Sequence, residues 1–256
     1  MSWLRPLGGT GIQVSALGLG TVKLGRNQGL RYPTGFTLPD DASATRLLDR
    51  ARALGINLLD TAPAYGSSEE RLGQLLAGQR QHWVICSKVG EEFEQGQSRF
   101  DFSPEHTRAS VLRSLRRLRT DVLDVVLVHS DGNDLQIIER MGTLEVLAQL
   151  KAEGLLRAYG MSTKSVAGGL AAASVCDVVM LTYNLQQQEE LPVLERCCQL
   201  QRGALVKKAL GSGQLPVDAG LALALGQPGT SAAVVGTIDP AHLQADVEAA
   251  RRVLDS

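Results

Sequence analysis

Cysteine is scarce in this 256-residue chain, and what there is forms no pattern. Cys86, Cys176, Cys197 and Cys198 are spaced for neither a zinc site nor a disulfide framework. No bound metal is expected, and His82, His106 and His242 have no partner spacing for one and are expected at the surface. The adjacent Cys197 and Cys198 fall in a helical pattern, where small apolar packing is expected of both. Thiols without a framework suit reducing, cytoplasmic surroundings. An excess of positive charge is also missing. Lys plus Arg number 26 against 27 Asp plus Glu, a formal net charge of −1. Nothing in that balance would neutralise a phosphate backbone, so nucleic acid is not expected as a partner. The basic run RSLRRLR (113–119) is short, helical and expected on a solvated helix face. No long apolar run exists either. AGLALALG (219–226) falls far short of the roughly 20 residues a bilayer span needs, so no membrane association is expected. The opening MSWLRPLGGTG has no charged leader followed by an apolar stretch, and no signal peptide is expected. Finally, GLG (18–20) is not followed by the third glycine and helix of a dinucleotide-binding fingerprint.

What is present is alternation. A small hairpin with GGTG (8–11) as its turn leads into a strand at about 14–19, then a loop rich in Gly, Pro and Asn at 25–40. Ala44, Leu47, Leu48, Ala51 and Leu54 repeat at helical spacing up to Gly55. Thereafter strands and helices take turns. INLLD is followed by EERLGQLLAG, with Ser67 and Glu70 at capping-box spacing. HWVICSKVG is followed by a loop and a helix from Ser103–Pro104. VLDVVLVHS precedes one helix running through Ile137, Met141, Leu144 and Ala148 to Gly154. LRAYGMST, DVVMLTYN, GALVKKALG and SAAVVGT complete eight short strands, and a last helix starts at Asp239–Pro240. Runs such as VVLV and AVV imply burial on both faces. Eight such units in this length predict an α/β fold, a parallel (β/α)8 TIM barrel in one domain over 1–256, with the N-terminal β-hairpin plugging the bottom.

Active sites of such barrels lie at the C-terminal strand ends. There the chain puts Asp60 with Tyr65 just beyond it, then Lys88, then His129, on three consecutive strands. Singly, each has an ordinary reading: a turn cap, a half-buried tyrosine, a snorkelling lysine, a hydrogen-bonded core histidine. Together they are costly to bury for packing alone. A phenol titrates near pH 10 (roughly), and a neighbouring ammonium lowers that value. A carboxylate holds the ammonium, and a histidine can help relay the proton. The set suits protonation of a carbonyl oxygen while a cofactor delivers hydride to its carbon.

LLDTAPAYG (58–66), SKVG (87–90), LVHSDG (127–132), GMSTKS (160–165), TYNLQQ (182–187), ALGSG (209–213) and GTIDPAHL (236–243) together resemble the aldo-keto reductase family, in the form of a short bacterial-type member, over nearly the whole chain. The resemblance implies Tyr65 as general acid, Lys88 and Asp60 as its tuning pair, and His129 as the group that orients the carbonyl and shares the proton. It implies a nicotinamide cofactor across the barrel mouth, NADPH first and NADH as competitor. Ser162–Thr163 stand where the family has a Ser–Asn pair on the nicotinamide amide, and Met180 where it has a Gln. Lys207 stands where an aromatic residue often stacks on the ring. Leu210, Gly211 and Ser212 match the pyrophosphate loop. Gly236 and His242 stand where many relatives carry the Lys and Arg that hold the 2′-phosphate of NADP; Thr237 keeps its hydroxyl, and Asp246 replaces an adenine-contacting Asn. Thr21 and Tyr183 complete the implied cofactor set.

A small-molecule carbonyl is thus the expected substrate, and a monomer the expected state. The short segment between the last two strands, and a chain ending with its last helix, suggest an open, shallow site. Two other readings use the same residues: a cofactor-binding sensor or regulatory subunit without turnover, and an aldolase with Lys88 as Schiff base.

Overall fold

The computed structural model describes residues 1–30 and 35–255; the middle of the expected 25–40 loop lies outside them. Strands β1 (Leu4–Pro6) and β2 (Gln13–Ser15) form an antiparallel pair of their own. The first barrel strand, β3, spans Leu17–Gly20. The single strand expected at 14–19 is therefore two, broken where Ser15 turns its hydroxyl onto the Leu17 carbonyl (2.6 Å). A short helix α1 (Val22–Gly25) and the helix α2 (Asp41–Ala53) lead to β4 (Leu58–Asp60). Helix α3 (Ser68–Leu75) precedes β5 (Val84–Val89). Then comes a hairpin that the sequence pattern leaves as loop: β6 (Glu91–Glu94) pairs antiparallel with β7 (Gln97–Phe100). After α4 (Pro104–Leu118) and β8 (Leu123–His129), the helix expected from Ile137 to Gly154 is two helices, α5 (Asp134–Arg140) and α6 (Thr143–Ala152). Gly142 separates them at φ +73°, a backbone state that glycine reaches without steric cost. The remainder alternates as expected: β9 (Leu156–Ser162), α7 (Val166–Val175), β10 (Val178–Thr182), α8 (Leu191–Gln199), β11 (Gly203–Lys207), α9 (Val217–Leu225), β12 (Ala232–Val235) and α10 (Pro240–Asp255).

Strands β3, β4, β5, β8, β9, β10, β11 and β12 pair in parallel and close into a barrel. Successive side chains of a strand point to opposite faces, and here that rule builds two cores. Leu58, Cys86, Val125, Leu127, Ala158, Met180 and Leu205 fill the interior. Their neighbours Leu59, Ile85, Val126, Val128, Met161, Leu181 and Val206 pack against the helices. Leu7, Ile12 and Val14 from the β1–β2 hairpin join the interior core, so the hairpin closes the N-terminal end. Its close seat depends on a glycine, because a Cβ on Gly203 would meet the Leu7 side chain at 2.7 Å.

Local capping agrees in part with the pattern. Ser103 caps α4, accepting from the His106 N–H, with Pro104 in the first turn. The capping box at Ser67 and Glu70 does not form. Ser67 makes no capping hydrogen bond, and Glu70 pairs with Arg117 at 3.0 Å. The basic run on α4 is accordingly tied to acids, with Arg113 on Glu92 and Arg117 facing both Glu69 and Glu70. His106 is half-buried against Glu92 (3.3 Å), not at the surface. Cys197 is buried as expected, while Cys198 is exposed. Among the described residues no helix is long and apolar enough to cross a membrane.

Candidate active site

The inward parity that places Cys86, Leu127 and Leu205 in the barrel core continues one step further along their strands, and from Ala158 two steps past Gly160. It brings Asp60, Lys88, His129, Ser162 and Lys207 to a common mouth. Lys88 Nζ donates to Asp60 Oδ1 (2.5 Å) and to the Thr61 carbonyl (2.9 Å), and both side chains are buried. Tyr65 arrives from a 3-10 turn, Pro63–Tyr65, directly after β4. Lys88 Nζ lies 5.0 Å from the centre of its ring. The His129 ring meets it edge to face at 6.4 Å.

The turn holding Tyr65 rests on two glycines. Gly66 has φ +61°, and a Cβ there would meet the Gly25 carbonyl oxygen at 2.2 Å. A Cβ on Gly25 would in turn meet Ser68 N at 2.2 Å and the Tyr65 oxygen at 2.3 Å. Backbone touches backbone here, and Ser67 N donates across the contact to the Gly25 oxygen. Arg26 adds a strut by donating to the Ala64 carbonyl at 3.1 Å.

Electrostatics set the protonation states. Burial opposes charge on Lys88, but Asp60, with Tyr65 and Cys86, outweighs it and holds the lysine above its ordinary value. Tyr65 departs from expectation. Burial, aided by Asp60 and Glu91, exceeds the pull of the Lys88 ammonium and raises the phenol above its ordinary value. Asp60 also lies against Lys88, so the lysine does not act on the phenol as a lone charge. Tyr65 is a protonated donor at neutral pH. His129 is pushed below its ordinary value by burial and by Lys88 and Lys207, against the opposing pull of Glu91.

Glu91 is the residue that the sequence pattern does not disclose. Its Oε2 lies 2.6 Å from His129 Nδ1, in an approach too bent for a straight hydrogen bond. Burial works against its charge, yet His129, Ser98 and Arg26 hold it down to about 2. A Glu on an unrecognised hairpin carries no spacing signal toward a strand 38 residues later.

The residues expected around a cofactor divide into three groups. Leu210, Ser212, Gly236, Thr237, His242 and Asp246 line one cleft of about 420 Å³, with Lys23 and Lys208 on its rim. It lies between the loop after β11 and the start of α10. Within that loop Lys208, Gly211, Ser212 and Gly213 all have positive φ. Gly211 and Gly213 spend their N–H groups on the turn itself, and Gly211 is not on the cleft wall. Asp246, pushed up to about 6 by burial, is close to neutral at mildly acidic pH. His242 is exposed, 3.7 Å from Asp239.

The second group is at the mouth. Lys207 Nζ donates to Ser162 Oγ and to the Thr163 carbonyl, each at 2.8 Å. Burial, with Lys208, Lys88 and Lys164 nearby, lowers Lys207 to about 8 despite Glu190. Thr163 Oγ1 is buried with no hydrogen-bond partner, which is uncommon for a buried hydroxyl. The third group is turned away. Tyr183 has the outward parity; it packs in the strand–helix core and its hydroxyl accepts from Gln227 at 3.3 Å. Thr21 is fully buried, its hydroxyl donating to the Asp60 carbonyl and accepting from Ser68. Neither side chain reaches the mouth. Asn184, next to Tyr183, instead ties the β11 loop by donating to the Lys208 carbonyl at 3.1 Å. A further groove of about 250 Å³, lined by Leu194, Cys198 and Pro228, is on the outside of the barrel beside α8.

A (β/α)8 barrel with an ionisable cluster at its C-terminal mouth, opening beside a cleft rimmed by lysines, is the class this fold and site define. Residues 16–218 match the model of the aldo/keto reductase family, and the chain belongs to that family. A Pseudomonas aeruginosa structure designated an aldo-keto reductase superposes with a TM-score of 0.92 at 58% identity, covering 98% of this chain and 96% of that one. The oxidoreductase YqkF of Bacillus subtilis is 30% identical over 200 residues, 75% of this chain and 60% of its own. An NADH-specific methylglyoxal reductase of Escherichia coli is 34% identical over 168 residues, 60% of this chain and 50% of its own. The chain thus spans between half and three-fifths of these two relatives.

Proposed function

We propose that this protein reduces an aldehyde or ketone to an alcohol with NAD(P)H, Tyr65 being the general acid. The observation that carries the reading is the Asp60–Lys88–Tyr65–His129 cluster with its protonated phenol. The bound dihydronicotinamide would supply the hydride. Tyr65 gives its proton to the carbonyl oxygen as negative charge develops there. Lys88, kept charged by Asp60, then stabilises the phenolate that remains. Because the free phenol is held protonated, the resting site is poised to give a proton to a carbonyl oxygen near neutral pH.

The residues present fit the dinucleotide at both ends. The cleft between the β11 loop and α10 offers Lys23, Lys208 and Ser212 to phosphates, and the unpartnered Thr163 Oγ1 suits the carboxamide at the other end. We take NADPH first, on the two lysines of the cleft. NADH is the second reading, favoured by Asp239 and Asp246 near the start of α10, which oppose a further phosphate there. Fluorescence titration with each cofactor separates the two. The catalytic reading is tested by Tyr65→Phe, which should lower kcat by about 10²–10⁴-fold with cofactor affinity unchanged. A Tyr65→Phe enzyme as fast as the wild type would refute it. Tight cofactor binding with no turnover of any carbonyl would instead favour a sensor role.

A further inference from the structure

We propose that Lys207 is a nucleophilic amine at the barrel mouth and forms a Schiff base there with small aldehydes. The step needs no dinucleotide and does not rest on the reductase reading. It also assigns the reactive amine to β11, and not to Lys88 on β5.

The lysines at the strand ends differ in setting. Lys88 is bonded to Asp60 Oδ1 at 2.5 Å and to the Thr61 carbonyl at 2.9 Å, and the carboxylate keeps it an ammonium without a lone pair. Lys208 is exposed, so water stabilises its charge. Lys207 ends β11 facing inward and is half-buried. Among the described residues it forms no ion pair, in contrast to Lys88 with Asp60. Its nitrogen meets two acceptors, Ser162 Oγ and the Thr163 carbonyl, each at 2.8 Å. A neutral amine has two N–H bonds and one lone pair. Both contacts therefore persist when the third proton leaves, and the lone pair is free to attack.

The surrounding charges favour that neutral form. Lys208 is the chain neighbour of Lys207, Lys164 follows the Thr163 to which it is bonded, and Lys88 shares the mouth. Glu190, just ahead of α8, opposes these cations. Its Oε1 accepts from the Thr182 N–H at 3.3 Å, and burial pushes its carboxyl toward the neutral acid. With Lys207 at about 8, roughly a tenth of it is free amine at pH 7, against less than about a thousandth for an ordinary lysine. A desolvated amine beside other ammonium groups is the setting that activates lysine toward carbonyls. The Nζ lone pair forms a C–N bond to the aldehyde carbon as the C=O π pair moves to oxygen. The Ser162 hydroxyl, 2.8 Å from the nitrogen, can pass the surplus proton to that oxygen. Loss of water then breaks the C–O bond and leaves C=N, so amine and aldehyde give imine and water with no oxidant or reductant. Aldehydes are favoured because their carbon bears one substituent and is more open to attack than that of a ketone.

The experiment treats the full-length protein, without dinucleotide, at pH 7 with propanal and cyanoborohydride. The hydride reagent reduces an imine as it forms and fixes it as a propylated lysine, which peptide mass spectrometry locates. Among the lysines, Lys207 should be labelled first, at a rate about tenfold or more above that of exposed Lys208. Lys207→Arg keeps a cation in place but has no primary amine. It should lose this adduct while the slow labelling of other lysines continues, with an unchanged circular dichroism spectrum. Labelling of Lys88 ahead of Lys207 overturns the proposal, and so does labelling of Lys207 no faster than Lys208. The wild-type map decides both points even if the variant fails to fold. Carbonyl turnover with NAD(P)H, measured separately, bears on the reductase reading and leaves the labelling result unchanged.

Discussion

Lys207 shows how a single residue's meaning depends on its neighbours. In the sequence it is one of two adjacent lysines at a strand end, and nothing distinguishes it from Lys208. In the barrel, parity turns Lys207 inward onto Ser162 and Thr163 and leaves Lys208 exposed. The same burial that places it lowers its ordinary value to about 8. Under the proposed function its ammonium faces an anionic dinucleotide. As pH rises through about 8 that charge is lost, so wild-type cofactor affinity should fall between pH 7 and 9 by up to about tenfold. Lys207→Met should bind more weakly at pH 7 and show a flat profile; fluorescence titration at several pH values checks both. Tyr183 makes the opposite case. Its place in the motif resembles a cofactor contact, yet it is one residue out of phase with Met180 and belongs to the outer core. For Tyr65 the expected lowering by Lys88 fails because burial is the larger effect and Asp60 accompanies the lysine.

At the scale of elements, the site depends on connections more than on strands. The 3-10 turn carrying Tyr65 is set by contact with α1, and that contact requires Gly25 and Gly66. Gly66→Ala adds both an unfavourable φ and a collision with backbone. It should move Tyr65 by enough to lower kcat by roughly tenfold or more, with little change in cofactor affinity; steady-state kinetics beside a cofactor titration checks this. The β6–β7 hairpin shows why part of the site was not legible. EEFEQGQSRF has charged and polar residues on both faces, so no apolar alternation marks it as strand. Its pairing is imposed by what it covers, the Tyr65 turn and His129, and Glu91 comes with it. The break between α5 and α6 was hidden for a related reason. Ile137, Met141 and Leu144 keep the helical period across Gly142, and the period alone does not report a reversal in φ.

The molecule as a whole separates stability from chemistry by the two ends of its barrel. The N-terminal end is closed by Leu7, Ile12 and Val14, far along the strands from Asp60, Lys88 and His129. Leu7→Ala should cost about 2–5 kcal/mol of stability, read by urea unfolding, while KM and kcat of the folded enzyme stay near wild type. Much of this plan was legible in advance. Eight apolar strand patterns with intervening helices predict the barrel because burial on both faces needs covering layers, and Asp60, Lys88 and His129 announce the mouth because charge at the end of an apolar strand is costly without a purpose. Periodicity and composition are local properties, and they determined the order of elements, the parallel barrel and the identity of the four polar residues. The tertiary structure decided what depends on groups distant in sequence meeting in space. It turned Tyr183 outward, gave Ser162 to Lys207, left Thr163 Oγ1 without a partner and set Glu91 against His129. Protonation states follow from such meetings, since burial and neighbouring charge are properties of a place and not of a residue type.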